Sequence, residues 1–434
     1  MRPTDRRRFF AQTRRYLENE NEEVKDYLVE VLADINTHES IALLKEHLGR
    51  GNERIRAMIV SALSPRGGED LRATFLELLG DPDCRVVANA VEALAAYRDP
   101  DIADTLLAYT SHKHHQVRAN AIMAVWRYRE PKQSGALKGK LREMLYSGDP
   151  AIVESALYAL GETVGENEMR RELKTFSDTC SELIDNDGAV RRRYLYAVAK
   201  CSGEWALDRL LASASVPDTH RRAELVEAIR RALVCGISAT QLIGRLVRAD
   251  FMSREVILRG CVTAGGIKVG AANEELLVSV AEEEAAAVRD ARHKYNVVVR
   301  SRGGGAVKLL AFAIAEECIE RRMNNLIYIS TLLDCTGRIG RITRRLHHKR
   351  RHVRACAVEV LDNVGNARVN RLLVSLLDVV FDEDVGVGRS AGTADGGRLR
   401  GVVAEMENCA NEWVRTCAYY CRVTEPDCTP TASQ

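Results

Sequence analysis

The stretch from Asp81 to Tyr128 constrains this chain most, because it says nearly the same thing twice. Cys84-Arg85-Val86-Val87-Ala88-Asn89-Ala90-Val91 is answered, 31 residues on, by His115-Gln116-Val117-Arg118-Ala119-Asn120-Ala121-Ile122. One interval back lies Ile55, in Glu53-Arg54-Ile55-Arg56-Ala57, and one further back lies Val24, in Glu22-Glu23-Val24-Lys25. Four copies in constant register define a repeat architecture. Each unit is too small to bury its own apolar face, so it stacks on its neighbours and the chain grows as an array.

The apolar spacing predicts helix pairs over 24–32 with 39–48 and over 55–63 with 71–79. Asp81-Pro82 and Asp149-Pro150 read as helix openings, with aspartate near the cap and proline in the first turn. Past Val117 the register loosens, to 35 residues at Ile152 and 38 at Val190, as insertions in connecting turns allow. Residues 203–348 keep helical patterning without a clear repeat. Helices are expected there over 223–233, 253–262, 273–299, 307–321 and 325–333, with Arg302-Gly303-Gly304-Gly305 as a break. The pattern returns at Val353-Arg354-Ala355-Cys356-Ala357 and again at Val414-Arg415-Thr416-Cys417-Ala418. The expected organisation is a basic capping helix over 1–20 and an all-α solenoid of stacked helix pairs over 21–381. A Gly- and Asp-rich mobile loop over 382–400, a last helical unit over 401–425 and a disordered tail over 426–434 complete it.

Hydrophobic residues make up 46% of the chain but aromatics only 5%, so Ala, Leu and Val must fill the apolar faces. That suits helices packed closely through small side chains. The net charge of +2 supplies no global field toward nucleic acid or membrane, so any such contact needs a local patch. Several of the 12 cysteines, among them Cys235, Cys261, Cys318 and Cys356, stand singly on apolar helix faces, and there is no CxxC pair. That usage fits reduced thiols in a cytoplasmic protein. The longest apolar run, Leu309 to Ala315, is far short of a membrane span, and nothing at the start reads as a cleavable signal.

The Val-Arg-Ala-Asn-Ala signatures resemble HEAT repeats of the short, phycobilisome-lyase-like kind, which implies an α-solenoid of HEAT-like helix pairs. Residues 351–420 carry a second likeness. Ala357-Val358-Glu359-Val360-Leu361-Asp362-Asn363, Arg371-Leu372-Leu373 and Trp413-Val414-Arg415-Thr416-Cys417-Ala418 resemble the soluble HEAT domains of bacterial ADP/ATP-translocase-like or major-facilitator-like transporters. This sequence departs from that group in having no membrane segment and no nucleotide-binding module.

The strongest candidate site is basic. Arg338, Arg341, Arg344, Arg345, Arg350, Arg351 and Arg354 crowd together with His347, His348, Lys349 and His352. Arginine forks suit carboxylates and phosphates, so an acidic or phosphate-bearing partner is one reading and a solvated turn is the other. No aromatics interleave with the cluster, which argues against stacking on single-stranded nucleic acid. The arginines after Val or Ile (Arg56, Arg118, Arg191, Arg354, Arg415) either line a binding face or form a ladder with turn acids such as Asp149 and Asp187. His112, His114 and His115 lack a carboxylate or thiol at metal spacing, and Cys409, Cys417, Cys421 and Cys428 read as packing before zinc. The basic start, Arg2 to Arg15, either caps the first repeat or touches acidic lipid.

The expectation is therefore a cytoplasmic, non-enzymatic scaffold with no cofactor, metal or catalytic residue, binding a protein partner along its concave face. A membrane-associated complex is one setting for it. The alternatives are nucleic-acid binding through 338–354, as in HEAT-like alkylpurine DNA glycosylases, and a phycobilin-lyase-like enzyme.

Overall fold

The computed structural model describes residues 3–18, 21–49, 51–97, 99–127, 134–212, 214, 218–301, 303–346, 351–381 and 396–425. Among them every regular element is helical, and no helix is long and apolar enough to cross a membrane. The chain divides into two compact units, Met1–Ala197 and Val198–Gln434. The fold class is all-α, an α-solenoid of stacked helix pairs.

Unit 1 begins with α1 (Pro3–Leu17) and continues with α2 (Glu22–Ile35), α3 (His38–Leu48), α4 (Glu53–Leu63), α5 (Glu69–Leu78) and α6 (Cys84–Ala95). Then come α7 (Pro100–Leu107), α8 (His115–Trp126), α9 (Ser134–Leu145), α10 (Pro150–Thr163), α11 (Glu166–Thr179) and α12 (Ser181–Asn186). Helix α13 (Gly188–Ala199) belongs to unit 1 except for its last two residues.

Local chemistry sets these starts. Before five of the repeat helices stands a short acceptor that takes orphaned N–H groups: Asn21 for Glu23 and Val24, Asn52 for Ile55, Asp83 for Arg85, Asp149 for Ala151 and Ile152, Asp187 for Ala189 and Val190; α8, entered at His114, has no side-chain cap. Pro150 occupies the first turn behind Asp149, as expected. Asp81-Pro82 does not open α6. Asp83 is the cap, because Asp81 is taken by Arg56, whose Nε and Nη2 each donate to it at 2.9 Å.

The register residues Ile55, Val86, Val117 and Val190 are fully buried, and beside them Ala90, Ala121 and Ala156 are too. Each buried Val or Ile contributes about 1.5–3 kcal/mol, and the alanines let backbones approach closely. Helices α2, α4, α6, α8 and α10 pack against one another in succession along their lengths, whereas α3, α5, α7, α9 and α11 approach one another sparingly. Geometry then puts the closer layer on the inner side of unit 1. Helix α1 packs on the first pair, burying Thr13 and Leu17, and Arg14 pairs with Glu46 at 2.7 Å.

Unit 2 contains α14 (Glu204–Leu211), α15 (Thr219–Val234), α16 (Ala239–Arg245), α17 (Phe251–Ala264), α18 (Ala271–Arg300) and α19 (Gly305–Ala313). It continues with α20 (Arg321–Leu332), α21 (Arg338–Leu346), α22 (Arg351–Asn363), α23 (Ala367–Phe381), α24 (Gly396–Met406) and α25 (Glu412–Thr424). Two expectations are corrected here. The helices predicted over 307–321 and 325–333 are one continuous helical run, in which Ile314–Glu320 is a π-helix joining α19 to α20. The side chains across the join are anchored: Arg321 and Arg322 pair with carboxylates, Met323 is buried, and Asn325 Nδ2 donates to the Phe251 carbonyl at 3.1 Å. The segment predicted as a loop over 382–400 is helical from Gly396, because Leu399, Val402 and Val403 supply a buried face. Residues 382–395 and the tail 426–434 lie outside the described residues.

Candidate functional site

Three constellations carry chemistry, and they are built differently. The first lies on the inner layer of unit 1. Asn89 and Asn120 occupy the same repeat position, and each donates its Nδ2 to a carbonyl one repeat back: Asn89 to Ala57 at 2.8 Å and Asn120 to Ala88 at 3.0 Å. Each bond fixes one helix on the next. Around them opens a groove of about 260 Å³ lined by Asn89, His115, Gln116, Asn120, Glu154, Ser155, Tyr158 and Arg193. His115 Nδ1 lies 2.8 Å from Ser155 Oγ, and its ring stacks on His114 with centroids 4.7 Å apart. Burial, helped by the neighbouring His114, pushes the His115 pKa below its ordinary value. Arg193 donates to Glu154 at 3.1 Å and covers the half-exposed Tyr158 ring at 5.0 Å. The wall therefore offers amide, hydroxyl, aromatic and cationic groups in a row along successive helices.

The second constellation is α21. Ile339, Ile342 and Leu346 form its buried stripe, and Arg338, Arg341 and Arg345 stand exposed at intervals of three and four residues. Asp334 organises its entry: Oδ2 accepts from the Ile339 N–H at 2.8 Å, and Oδ1 accepts from the Thr336 N–H and hydroxyl. Among the described residues these three arginines form no ion pair, in contrast to Arg56, Arg142, Arg245 and Arg368, each bound to a carboxylate. Of the predicted cluster, the structure thus brings Arg338, Arg341 and Arg345 onto one face. Arg344, Arg351 and Arg354 have helical backbones, but their side chains lie outside the described residues, as do residues 347–350 with Arg350.

The third was missed from sequence. In unit 2, the fully buried Glu284 of α18 accepts from Arg254 Nη1 on α17 and Arg322 Nη1 on α20, each at 2.9 Å. Arg254 also reaches Glu283 at 2.6 Å and the Leu246 carbonyl at 3.0 Å. Arg321 bridges Glu255 at 2.7 Å and Glu317 at 2.6 Å, and Glu317 accepts from Asn411 Nδ2 at 2.7 Å. Burial lowers the Arg254 pKa, but hydrogen bonds to Glu284 and Glu283 outweigh it and leave the guanidinium above its ordinary value. Nearby, burial beside Arg321 lowers the Arg222 pKa, and among the described residues its Nη1 has no partner. The available signal was a charged pair, Arg254-Glu255, directly before the apolar run Val256-Ile257-Leu258, and acids 30 residues on.

The arginines after Val divide between roles. Arg56 reaches Asp81 of the next turn and the Gly51 carbonyl, Arg191 bonds the carbonyls of Ile184 and Asp185, and Arg415 those of Cys409 and Ala410. Asp149 and Asp187 act as helix caps. Histidines 112 and 114 are tied locally, the His114 N–H donating to His112 Nδ1 at 3.1 Å. No cluster of three or more His, Cys, Asp or Glu among the described residues could hold a metal ion. Cys417 and Cys421 are buried in α25, Cys409 approaches Cys318, and Cys428 lies outside the described residues.

Residues 72–161 match the family model of HEAT repeats. No curated protein matches the chain. Solved structures similar to it include human deoxyhypusine hydroxylase in complex with glycerol, at 18% identity and TM-score 0.28, covering 59% of this chain and 96% of that one. Kap121p bound to Ste12p aligns at 11% identity and TM-score 0.37, covering 97% of this chain and 57% of that one. The S. pombe condensin Cnd3-Cnd2 subcomplex aligns at 11% identity and TM-score 0.30, covering 95% and 65%. The matched stretch contains α6 and α8, which carry the shared motif, so residues 72–161 are similar to HEAT repeats and sit within an all-α fold.

Proposed function

We propose that this chain is a binding scaffold rather than an enzyme, and that a protein partner lies along the inner helical layer of unit 1. The observation that carries the reading is the row of Asn89, Asn120, Ser155, Tyr158 and Arg193 presented by successive helices. An extended segment crossing them would meet one or two polar or aromatic groups per repeat, which suits the cumulative recognition that repeat arrays use. The test is affinity capture from native cells with the wild type and with Asn120→Ala/Tyr158→Ala/Arg193→Ala. A partner lost from this variant but kept by the outer-helix variant Lys174→Glu supports the reading. Equal capture by both overturns it.

A second contact is supported by the unpaired row on α21, which suits an acidic or phosphate-bearing partner. Nucleic acid is the competing reading. It predicts binding to a mixed-sequence duplex that weakens steeply with salt and disappears in Arg338→Glu/Arg341→Glu/Arg345→Glu. The basic α1 and the transporter-like likeness of 351–420 favour a cytoplasmic setting beside a membrane. Co-sedimentation with vesicles containing anionic lipid, lost on reversal of Arg14 and Arg15 to Glu, tests that setting.

A further inference from the structure

Two cysteines far apart in sequence meet in unit 2. Cys318 sits in the π-helix Ile314–Glu320 and is buried, and Cys409 sits half-buried in the turn between α24 and α25. Their sulfur atoms are 4.0 Å apart across 91 residues of chain. We infer that Cys318 and Cys409 are an oxidation site, closed to a disulfide by a hydroperoxide and reopened by thiols.

The surroundings divide the labour between the two sulfurs. Cys409 lies just ahead of the N-terminus of α25, where the helix dipole favours negative charge. The Asn411 N–H and the guanidinium groups of Arg322 and Arg415 also favour its thiolate, and Arg415 Nη1 holds the Cys409 carbonyl at 2.8 Å. Either sulfur could donate across the 4.0 Å contact; with the proton on Cys318, the contact and burial raise the Cys318 pKa, and the same contact holds that of Cys409 below its ordinary value. Cys261 shows the contrast. It is buried in α17, burial pushes its pKa up to about 12, and it stays an inert apolar side chain.

The chemistry balances with the hydroperoxide as the only co-reactant. The Cys409 thiolate attacks one peroxide oxygen, the O–O bond breaks, and the departing hydroxide takes a proton to become water (or an alcohol, from an alkyl hydroperoxide). Cys409 is then a sulfenic acid. The Cys318 sulfur attacks the Cys409 sulfur, the S–O bond breaks, and the leaving hydroxide combines with the Cys318 proton as a second water. Two thiols have each given one electron to the peroxide. The sulfurs close from 4.0 Å to a bond of about 2.05 Å. A turn and a π-helix can supply that movement, since π-helical turns interrupt the regular helical ladder. The product ties the π-helix to the last helix pair.

The test uses the full chain treated with hydrogen peroxide, digested without reduction and read by mass spectrometry. The expected result is a peptide pair joined through Cys318 and Cys409, abolished by dithiothreitol and absent from Cys409→Ser. Cys417→Ser, at a neighbouring buried thiol, should leave the link intact. A second measurement avoids variants: peroxide should slow amide exchange in Ile314–Glu320 and α25 of the wild type. Joining of Cys409 to Cys417 or Cys421 instead, over-oxidation of Cys409 with no link, or a link to Cys318 without slowed exchange would overturn the inference.

Discussion

Units 1 and 2 solve the same problem, stacking amphipathic helices, by different means. In unit 1 the ties are periodic and short in reach: Asn120 bonds the helix one repeat back, Arg56 bonds the next turn, and each acceptor caps its own helix. In unit 2 the ties are buried and join distant segments, as Glu284 does between Arg254 and Arg322. A periodic contact repeats along the array, so losing one leaves its neighbours in place. A buried charge network has no spare copy, and removing one member leaves the others uncompensated.

That difference can be broken first at Glu284. Glu284→Ala leaves Arg254 and Arg322 facing each other without the shared carboxylate, at an expected cost of about 3–5 kcal/mol. Denaturant unfolding, with amide exchange assigning the loss to α17, α18 and α20, is the measurement. A change under about 1 kcal/mol would mean the network is solvated like a surface pair.

In unit 1 the comparable blow is to the backbone. Ala121→Pro places a ring in the middle of α8 and should cost about 3 kcal/mol or more. Exchange should quicken in α6, α8 and α10 and fade with distance along the array, because coupling is between nearest neighbours. Uniform loss across all of unit 1 would argue for a single cooperative body.

Asn120→Ala is the milder probe. It removes the hydrogen bond to Ala88 and should cost about 0.5–1.5 kcal/mol, again read by denaturant unfolding. No loss would assign the asparagine to the groove rather than to repeat register.

The smallest expected effect concerns α21 and pH. Burial opposes ionisation of Asp334, but the N–H groups of Ile339 and Thr336 and the Thr336 hydroxyl outweigh it and hold the pKa below the ordinary 3.8. A depressed folded value means that the stabilisation is present above the unfolded value and lost as pH falls through the folded one. The stability difference between wild type and Asp334→Asn should stay level above about pH 5 and shrink below about pH 4. A difference that grows on acidification would show that the carboxylate is not what holds the entry to α21.

Legibility in the sequence followed the same division. In unit 1 a constant interval exposed the helix pairs, the register residues and the alanines at the helix contacts, because one local solution is written several times. It misplaced the opening of α6, since a sequence lists Asp81 and Asp83 side by side and does not say that Arg56 claims the first. In unit 2 the basic face of α21 was visible as a charge run. The π-helix, the buried acids and the meeting of Cys318 with Cys409 were not, because their partners lie 30 to 94 residues away with no periodic cue.

By itself, then, the sequence determined the all-helical repeat class, the caps and apolar stripes of individual helices, and where positive charge gathers. Those depend on neighbours within a few turns of helix. Only the tertiary structure decided which charges are buried, which polar residues line the inner groove, and which thiols touch. Those follow from how helices distant in sequence come together, and burial sets the strength of each such contact.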